Sequence, residues 1–97
     1  MRRGQLGETA ARTRLQEQGL VFLVANFRSG RGEIDIIMRD GQALVFVEVK
    51  TRTSGGWTRP AAAVNARKRR LLSRTALAYL NLLHHPEVRL RFDIVEV

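Results

Sequence analysis

Three acidic residues and a lysine interrupt two apolar segments of the chain. Glu33 and Asp35 lie in EIDIIM, and Glu48 and Lys50 lie in ALVFVEVK. An ionised carboxylate within an apolar strand is costly unless it is paired, protonated or bound to a metal ion. Mg²⁺ suits such a pair, because it takes one or two carboxylates and keeps several of its waters. These residue types therefore indicate metal-assisted phosphodiester hydrolysis, in which Lys50 holds a metal-bound water or a phosphate oxygen.

A β-hairpin would bring these side chains together. Asp-Gly between two apolar segments is a strong turn signal, so residues 33–38 and 43–50 are predicted to pair across RDGQ. Because successive side chains of a strand point to opposite faces, the hairpin lets Asp35 approach Glu48. Two carboxylates in one dry site repel each other and need a shared cation.

Strand alternation also assigns a face to each neighbouring residue. On the first strand, the predicted faces are Glu33, Asp35 and Ile37 against Ile34, Ile36 and Met38. On the second strand, they are Leu44, Phe46, Glu48 and Lys50 against Val45, Val47 and Val49. Both faces of the second strand are largely apolar, so we expect it in the interior of the sheet.

The remaining elements follow from hydrophobic periodicity and turn residues. We predict a helix over 6–18 that ends at Gly19, a strand over 20–27, and a turn at 29–32. After an irregular segment at 53–60 and a short helical turn through residue 64, Asn65 is the predicted N-cap of a helix from 66 to about 83. A strand over 88–97 follows. The order α-β-β-β-α-β predicts an α/β fold with a mixed sheet of about four strands, closed by a helical crossover.

Net charge favours a polyanionic partner, above all nucleic acid. The 97 residues include 17 Lys and Arg against 9 Asp and Glu, a net charge of +8. Only Lys50 and Lys68 are lysines, and the planar fork of arginine suits phosphate. Arginine richness also follows from GC-rich coding or a thermophilic source, so charge alone does not decide the partner.

Composition also bounds the class of protein. Apolar segments are too short to cross a bilayer, and MRRGQLGETA lacks the apolar segment of a signal peptide. The absence of cysteine excludes disulfide bonds and thiolate metal sites. We therefore expect one domain, residues 1–97, in the cytoplasm.

An alternative interpretation is that the acids pair with arginines and only fix the strand register. For an isolated E-x-K sequence that alternative is preferable, because short motifs recur by chance. Here the acids lie on adjacent strands, face the same way and precede a basic loop, which favours the catalytic hypothesis.

The motifs also support a family resemblance. GEIDII followed by VFVEVKTR resembles the PD-(D/E)-x-K nuclease superfamily, which has a mixed sheet flanked by helices. Together with GETAARTRLQEQGL, NFRSGRGEIDII, VNARKRRLL and RFDIVEV, these motifs resemble the YraN-like family of uncharacterised bacterial proteins, related to archaeal Holliday-junction resolvases. Ile34 stands where the superfamily motif has its proline, and such proteins usually continue past the strand that ends in DIVEV.

The resemblance implies a restriction-endonuclease-like core and a role for four residues. Asp35 and Glu48 would be the metal ligands for Mg²⁺ or Mn²⁺, Lys50 the catalytic lysine, and Glu8 the acidic residue of the first helix. Glu8 shares a helical stripe with Ala11 and Leu15, although a glutamate in a first turn is also favoured by the helix dipole. For Glu33, pairing with an arginine is the preferred prediction.

Basic and aromatic residues complete the predicted site. Lys68 shares a stripe with Leu72, Thr75 and Tyr79, which turns it toward the sheet and its acids. The predicted nucleic-acid contacts are Arg52, Arg59, Arg67, Arg70 and Arg74 together with Lys68 and Trp57. Trp57 would stack on an unpaired base or, equally, cover the small core. His84 and His85 lack the spacing for a shared metal ion and are predicted to cap the helix.

These observations lead to one functional hypothesis and two alternatives. The hypothesis is a Mg²⁺-dependent endonuclease that hydrolyses phosphodiesters in structured or branched DNA, in the manner of a Holliday-junction resolvase. Because one site cuts one strand, action on a junction would require a homodimer. The alternatives are a non-catalytic nucleic-acid-binding module with the same fold and an RNA nuclease.

Overall fold

A computed structural model describes residues 3–51 and 66–97, with side chains from residue 6 onward. The elements are α1 (Arg3–Glu17), β1 (Val21–Ser29), β2 (Gly32–Asp40), β3 (Ala43–Lys50), α2 (Ala66–Leu82) and β4 (Arg89–Glu96). This order confirms the predicted α-β-β-β-α-β arrangement. No helix in these two described ranges is long and apolar enough to cross a bilayer.

The four strands form one mixed sheet in the order β1-β2-β3-β4. Each of the pairs β1–β2 and β2–β3 is antiparallel, whereas β3 and β4 are parallel. A parallel pair needs a long crossover connection, and α2 supplies it. β3 therefore lies in the interior of the sheet, as its two apolar faces predict.

Each face of the sheet carries its own hydrophobic cluster. Beneath α1 lie Ala11, Leu15, Leu20, Ile36, Met38, Val45, Val47 and Val95. Beneath α2 lie Ile34, Ile37, Leu44, Phe46, Ala76, Tyr79 and Leu80. Because the sheet is apolar on both sides, one helix on each side is needed to remove it from water. On β4, the side chains of Leu90, Phe92 and Ile94 remain exposed.

The predicted face of Ile34 is wrong. Instead of lying with Ile36 and Met38, Ile34 packs in the cluster beneath α2. Regular pairing between β2 and β3 ends at Ile36 and Val47, so the two strands separate on the side of Asp35. Strict alternation assumes a regularly paired strand, and that condition fails where the candidate site begins.

Element ends differ from prediction by a few residues, and their local causes are clear. Gly19 follows α1 with a φ of 97°, a left-handed conformation that favours glycine. After α2, His84 and His85 adopt φ values of 59° and 51°. Their backbone N–H groups donate to the carbonyl oxygens of Asn81 and Leu80 at 3.2 and 3.0 Å, so this helix end is capped by backbone rather than by imidazole rings.

Candidate active site

Asp35 occupies the point where β2 and β3 separate. The backbone N–H of Val49 donates to Asp35 Oδ2 at 2.7 Å, so the carboxylate accepts a bond from the strand that β2 no longer pairs with. Two elements therefore fix the orientation of this side chain: β2 carries it and the β3 backbone anchors it. The second oxygen, Oδ1, has no hydrogen-bond partner within the described part of the chain.

Burial raises the pKa of Asp35 to about 6, although the Val49 N–H lowers it. Negative charge on Glu48, Glu8 and Glu33 adds to the increase. Acids from α1, β2 and β3 thus interact with one half-buried carboxyl group. Such an environment disfavours the ionised form of Asp35 and would favour a bound cation.

Glu48 lies between two lysines. Its Oε1 atom is 3.4 Å from Lys50 Nζ and 2.5 Å from Lys68 Nζ, and its side chain is only 14% exposed. The Lys68 contact agrees with the prediction that α2 turns Lys68 toward the acids. Burial alone would lower the pKa of Lys68, but its bond to Glu48 and the nearby negative charge raise that pKa above its usual value.

Glu8 reaches this end of the sheet because α1 packs closely against it. A Cβ atom added to Gly7 would lie 2.8 Å from Thr51 Oγ1 and 3.1 Å from Val97 Cγ2, so a larger residue here would require these side chains to shift. Ala11 and Leu15 are buried, as the helical stripe predicts. Glu8 itself is half-buried and acts on Asp35 through its charge.

Glu33 has a different partner. Its Oε1 atom lies 3.6 Å from Arg28 Nε on the neighbouring strand, in an exposed pair. Pairing with an arginine, rather than metal ligation, is the arrangement predicted for this residue.

The arginine stripe of α2 lies beside a further arginine that sequence reasoning missed. Arg67, Arg70 and Arg74 line one surface cavity with Leu71 and with Arg31, from the turn between β1 and β2. Of the other predicted contacts, Lys68 bonds to Glu48, whereas Arg52, Trp57 and Arg59 lie outside the described residues. The signal for Arg31 was its position between two glycines in SGRG.

Comparison with known proteins places this arrangement in a family. The profile of the uncharacterised protein family UPF0102 matches residues 7–97. The chain belongs to the UPF0102 family. This membership confirms the YraN-like resemblance drawn from the motifs.

Individual UPF0102 proteins match nearly the whole chain. One from Halorhodospira halophila is 50% identical over 93 residues, which is 96% of this chain and 74% of that protein. Another from Geobacter metallireducens is 44% identical over 94 residues, covering 97% of this chain and 77% of the relative. A third from Chlorobaculum parvum is 48% identical over 94 residues, with coverages of 97% and 73%.

The donor set of this UPF0102 chain fits a hard divalent cation held by few protein ligands. Asp35 and Glu48 supply carboxylate oxygens from adjacent strands, and Asp35 retains an oxygen that the backbone does not use. Across residues 6–51 and 66–97, no group of three or more His, Asp or Glu side chains is arranged to hold a metal ion. Mg²⁺ is commonly bound by one or two carboxylates plus water and substrate phosphate, so two protein ligands suffice.

Proposed function

We propose that this UPF0102 protein is a Mg²⁺- or Mn²⁺-dependent endonuclease that hydrolyses phosphodiesters in structured or branched DNA. The observation that carries the proposal is the environment of Asp35. Its half-buried carboxyl group has a pKa raised to about 6, is anchored by Val49 and lies among further acids. Lys50 and Lys68 contact Glu48, and the negative charge of Asp35 also raises the pKa of Lys68.

Asp35 and Glu48 would hold the metal ion. When bound, the ion would polarise the phosphoryl oxygen and lower the pKa of an attacking water. The Val49 N–H restrains Oδ2 of Asp35, so the other carboxylate oxygen, Oδ1, points in a fixed direction. This restraint lowers the conformational cost of holding a ligand.

Lys50 and Lys68 would provide the positive charge that the phosphate requires. The two side chains are 42% and 38% exposed, so their ammonium groups reach solvent while contacting Glu48. In this proposal Lys50 orients the attacking water or stabilises the charge that develops on the phosphate, and Lys68 is a counter-ion or phosphate contact. Glu8 assists from the opposite face of the sheet through its charge on Asp35.

Arginines around the site would position the nucleic-acid backbone without reading its sequence. The proposal assigns this role to Arg67, Arg70 and Arg74, and to Arg52, Arg59 and Trp57 beyond the described residues. A four-way junction presents two strands for cleavage, so its resolution would use a homodimer. The same proposal places the protein in the cytoplasm, where it would meet DNA.

One observation favours a non-catalytic module as the second candidate. Glu48 already has two ammonium groups as counter-ions, so its charge is balanced without a metal ion. In that case the fold would bind nucleic acid through its net charge of +8 and would not cleave it. RNA is the remaining alternative substrate for a catalytic site.

Cleavage assays on wild type, Asp35→Asn and Lys50→Ala test the proposal. Substrates are linear, nicked and four-way DNA and a structured RNA, each with Mg²⁺, Mn²⁺ or chelator. Asp40→Asn is the matched control, since it makes the same chemical change at an exposed carboxylate beside the opposite end of β3. We expect metal-dependent cleavage of branched DNA by wild type and by the control only.

Three outcomes would contradict parts of this expectation. Binding without cleavage by wild type under every condition would identify the non-catalytic module. Cleavage of RNA alone would replace the substrate. Full activity of Asp35→Asn would show that Asp35 is not a catalytic residue.

A further inference from the structure

Four arginines converge on one surface cavity, which we name the arginine groove. Arg31, Arg67, Arg70 and Arg74 line this cavity of about 330 Å³ together with Leu71. Arg31 comes from the turn between β1 and β2, and the other three come from one side of α2. The groove is therefore built from two elements that are distant in sequence.

The groove has an excess of positive charge without internal compensation. Within the described ranges, none of its four arginines forms an ion pair with a carboxylate. Other arginines do: Arg28 pairs with Glu33, and Arg91 pairs with Asp40 and Asp93. An anion that enters the groove would be attracted by all four positive charges.

A close backbone contact holds Arg31 beside α2. A Cβ atom added to the buried Gly32 would overlap Thr75 Oγ1 and would lie 3.1 Å from Thr75 Cβ. Thr75 is itself fixed, because its hydroxyl donates to the Leu71 carbonyl at 2.8 Å. Gly32 therefore packs the β1–β2 turn against α2. This contact places the neighbouring Arg31 beside the arginines of that helix.

We propose that the arginine groove binds the phosphate backbone of a duplex arm that leaves the carboxylate site, which comprises Asp35, Glu48, Lys50 and Lys68. Arg67 precedes Lys68 directly and Arg70 follows it by two residues, so the helical segment that contacts Glu48 also forms the groove. Guanidinium groups suit phosphate because they donate in a planar fork. This inference rests on the proposed function, since it assigns one part of the same substrate.

The dimensions and lining of the groove favour a duplex backbone. From Arg67 to Arg74 the helix rises about 10 Å at ~1.5 Å per residue. That length equals about three base-pair steps of B-form DNA, measured along the duplex axis at ~3.4 Å each. Single-strand grooves add aromatic side chains on which bases stack, and no aromatic residue is among the described lining residues. In this proposal the four arginines contact phosphates rather than base edges, so binding would not read the base sequence.

Duplex binding by Arg31→Ala and Arg39→Ala, measured by fluorescence anisotropy in chelator, tests the groove. Each variant removes one positive charge from an exposed arginine, but Arg39 lies opposite Leu44 at the far end of β3. We expect Arg31→Ala to lower duplex affinity about tenfold, as for loss of a charge-assisted hydrogen bond. A plot of the logarithm of the binding constant against the logarithm of the salt concentration has a negative slope. The magnitude of this slope should decrease by about 0.9 for each phosphate that the variant no longer neutralises.

The control and a conservative variant complete the test. Arg39→Ala should leave the salt slope unchanged, and Arg31→Lys should restore it because the charge returns. Equal effects of Arg31→Ala and Arg39→Ala would overturn the proposal, since only net charge would then matter. The proposal would also be overturned if Arg31→Ala lost affinity only for single-stranded DNA of the same sequence, or only for vesicles of anionic lipid.

Failure of the groove and failure of catalysis are separable. Chelator prevents metal-dependent cleavage, so the affinities report binding alone. If Arg31→Ala weakens duplex binding while wild type cleaves nothing in Mg²⁺ or Mn²⁺, the groove stands and the nuclease proposal fails. If wild type cleaves and Arg31→Ala binds the duplex like Arg39→Ala, the reverse holds.

Discussion

The carboxylate site and the arginine groove place charge in opposite ways. At the carboxylate site, Glu48 contacts two lysines and Asp35 accepts a backbone hydrogen bond. In the groove, four arginines face one cavity and none pairs with a carboxylate in the described chain. Both regions lie against α2, and Lys68 and Arg67 are adjacent on it.

This difference separates two kinds of function. At the carboxylate site the contacts fix the geometry, and the pKa values of Asp35 and Lys68 are raised, which are properties that catalysis uses. The arginines of the groove do not require a fixed geometry, and their positive charge attracts an anion from solution. The comparison therefore predicts that variants at the carboxylate site alter turnover and variants at the groove alter affinity.

The largest expected effect is on turnover by Lys50→Ala. Removal of one positive group that stabilises charge in the transition state costs about 10²–10³ in kcat. Single-turnover cleavage with saturating enzyme measures this loss, while duplex affinity in chelator should change no more than it does for Arg39→Ala. Equal losses of affinity and turnover by Lys50→Ala would show that the carboxylate site and the arginine groove act as one binding surface.

A second effect concerns the contact that docks Arg31. Gly32→Ala should destabilise the fold by about 1–3 kcal/mol, because the new methyl group overlaps Thr75 Oγ1. Urea unfolding of Gly32→Ala, Thr75→Ala and the double variant measures the coupling between them. We expect the double variant to be more stable than the sum of the single changes predicts, because removing Oγ1 relieves the overlap. Strict additivity would show that the turn does not rest on the helix there.

A third effect is the pH dependence that Asp35 gives the metal-free protein. The pKa of Asp35 is about 6 in the fold, against an ordinary value of 3.8. The protonated carboxyl group therefore stabilises the folded state fully below about pH 3.8, and this stabilisation is lost as pH rises to about 6. Asp35→Asn lacks this loss and keeps an oxygen for the Val49 N–H. Its Tm should therefore exceed that of wild type increasingly from pH 4 to pH 6, with a constant difference above that.

Asp40→Asn provides the comparison for this pH series, since it changes an exposed carboxylate. Mg²⁺ should reduce the Tm difference between wild type and Asp35→Asn at pH 7, because a bound cation stabilises the carboxylate. A Tm difference between wild type and Asp35→Asn that does not vary with pH would show that the fold does not raise the pKa of Asp35.

Sequence predicted those parts of the fold that depend on local pattern. Alternation predicted one shared face for Val45 and Val47, which lie together beneath α1, and the helical stripe predicted that Lys68 turns toward the acids, where it contacts Glu48. It failed at Ile34, since the separation of β2 from β3 is a tertiary feature. Arg31 was also missed, because its approach to α2 depends on the contact of Gly32 with Thr75, more than forty residues away in sequence.

The smallest expected effect distinguishes Glu33 from the other acids. Glu33 raises the pKa of Asp35 but pairs with Arg28 at the surface, where an ion pair contributes about 0–1 kcal/mol. Glu33→Gln should therefore change the free energy of unfolding by less than about 1 kcal/mol and leave cleavage within about threefold of wild type. Glu87→Gln, at an exposed position after α2, is the matched control for the lost charge. A loss of turnover by Glu33→Gln as large as that of Lys50→Ala would instead make Glu33 a member of the carboxylate site, and its contact with Arg28 would then be a resting arrangement that the substrate displaces.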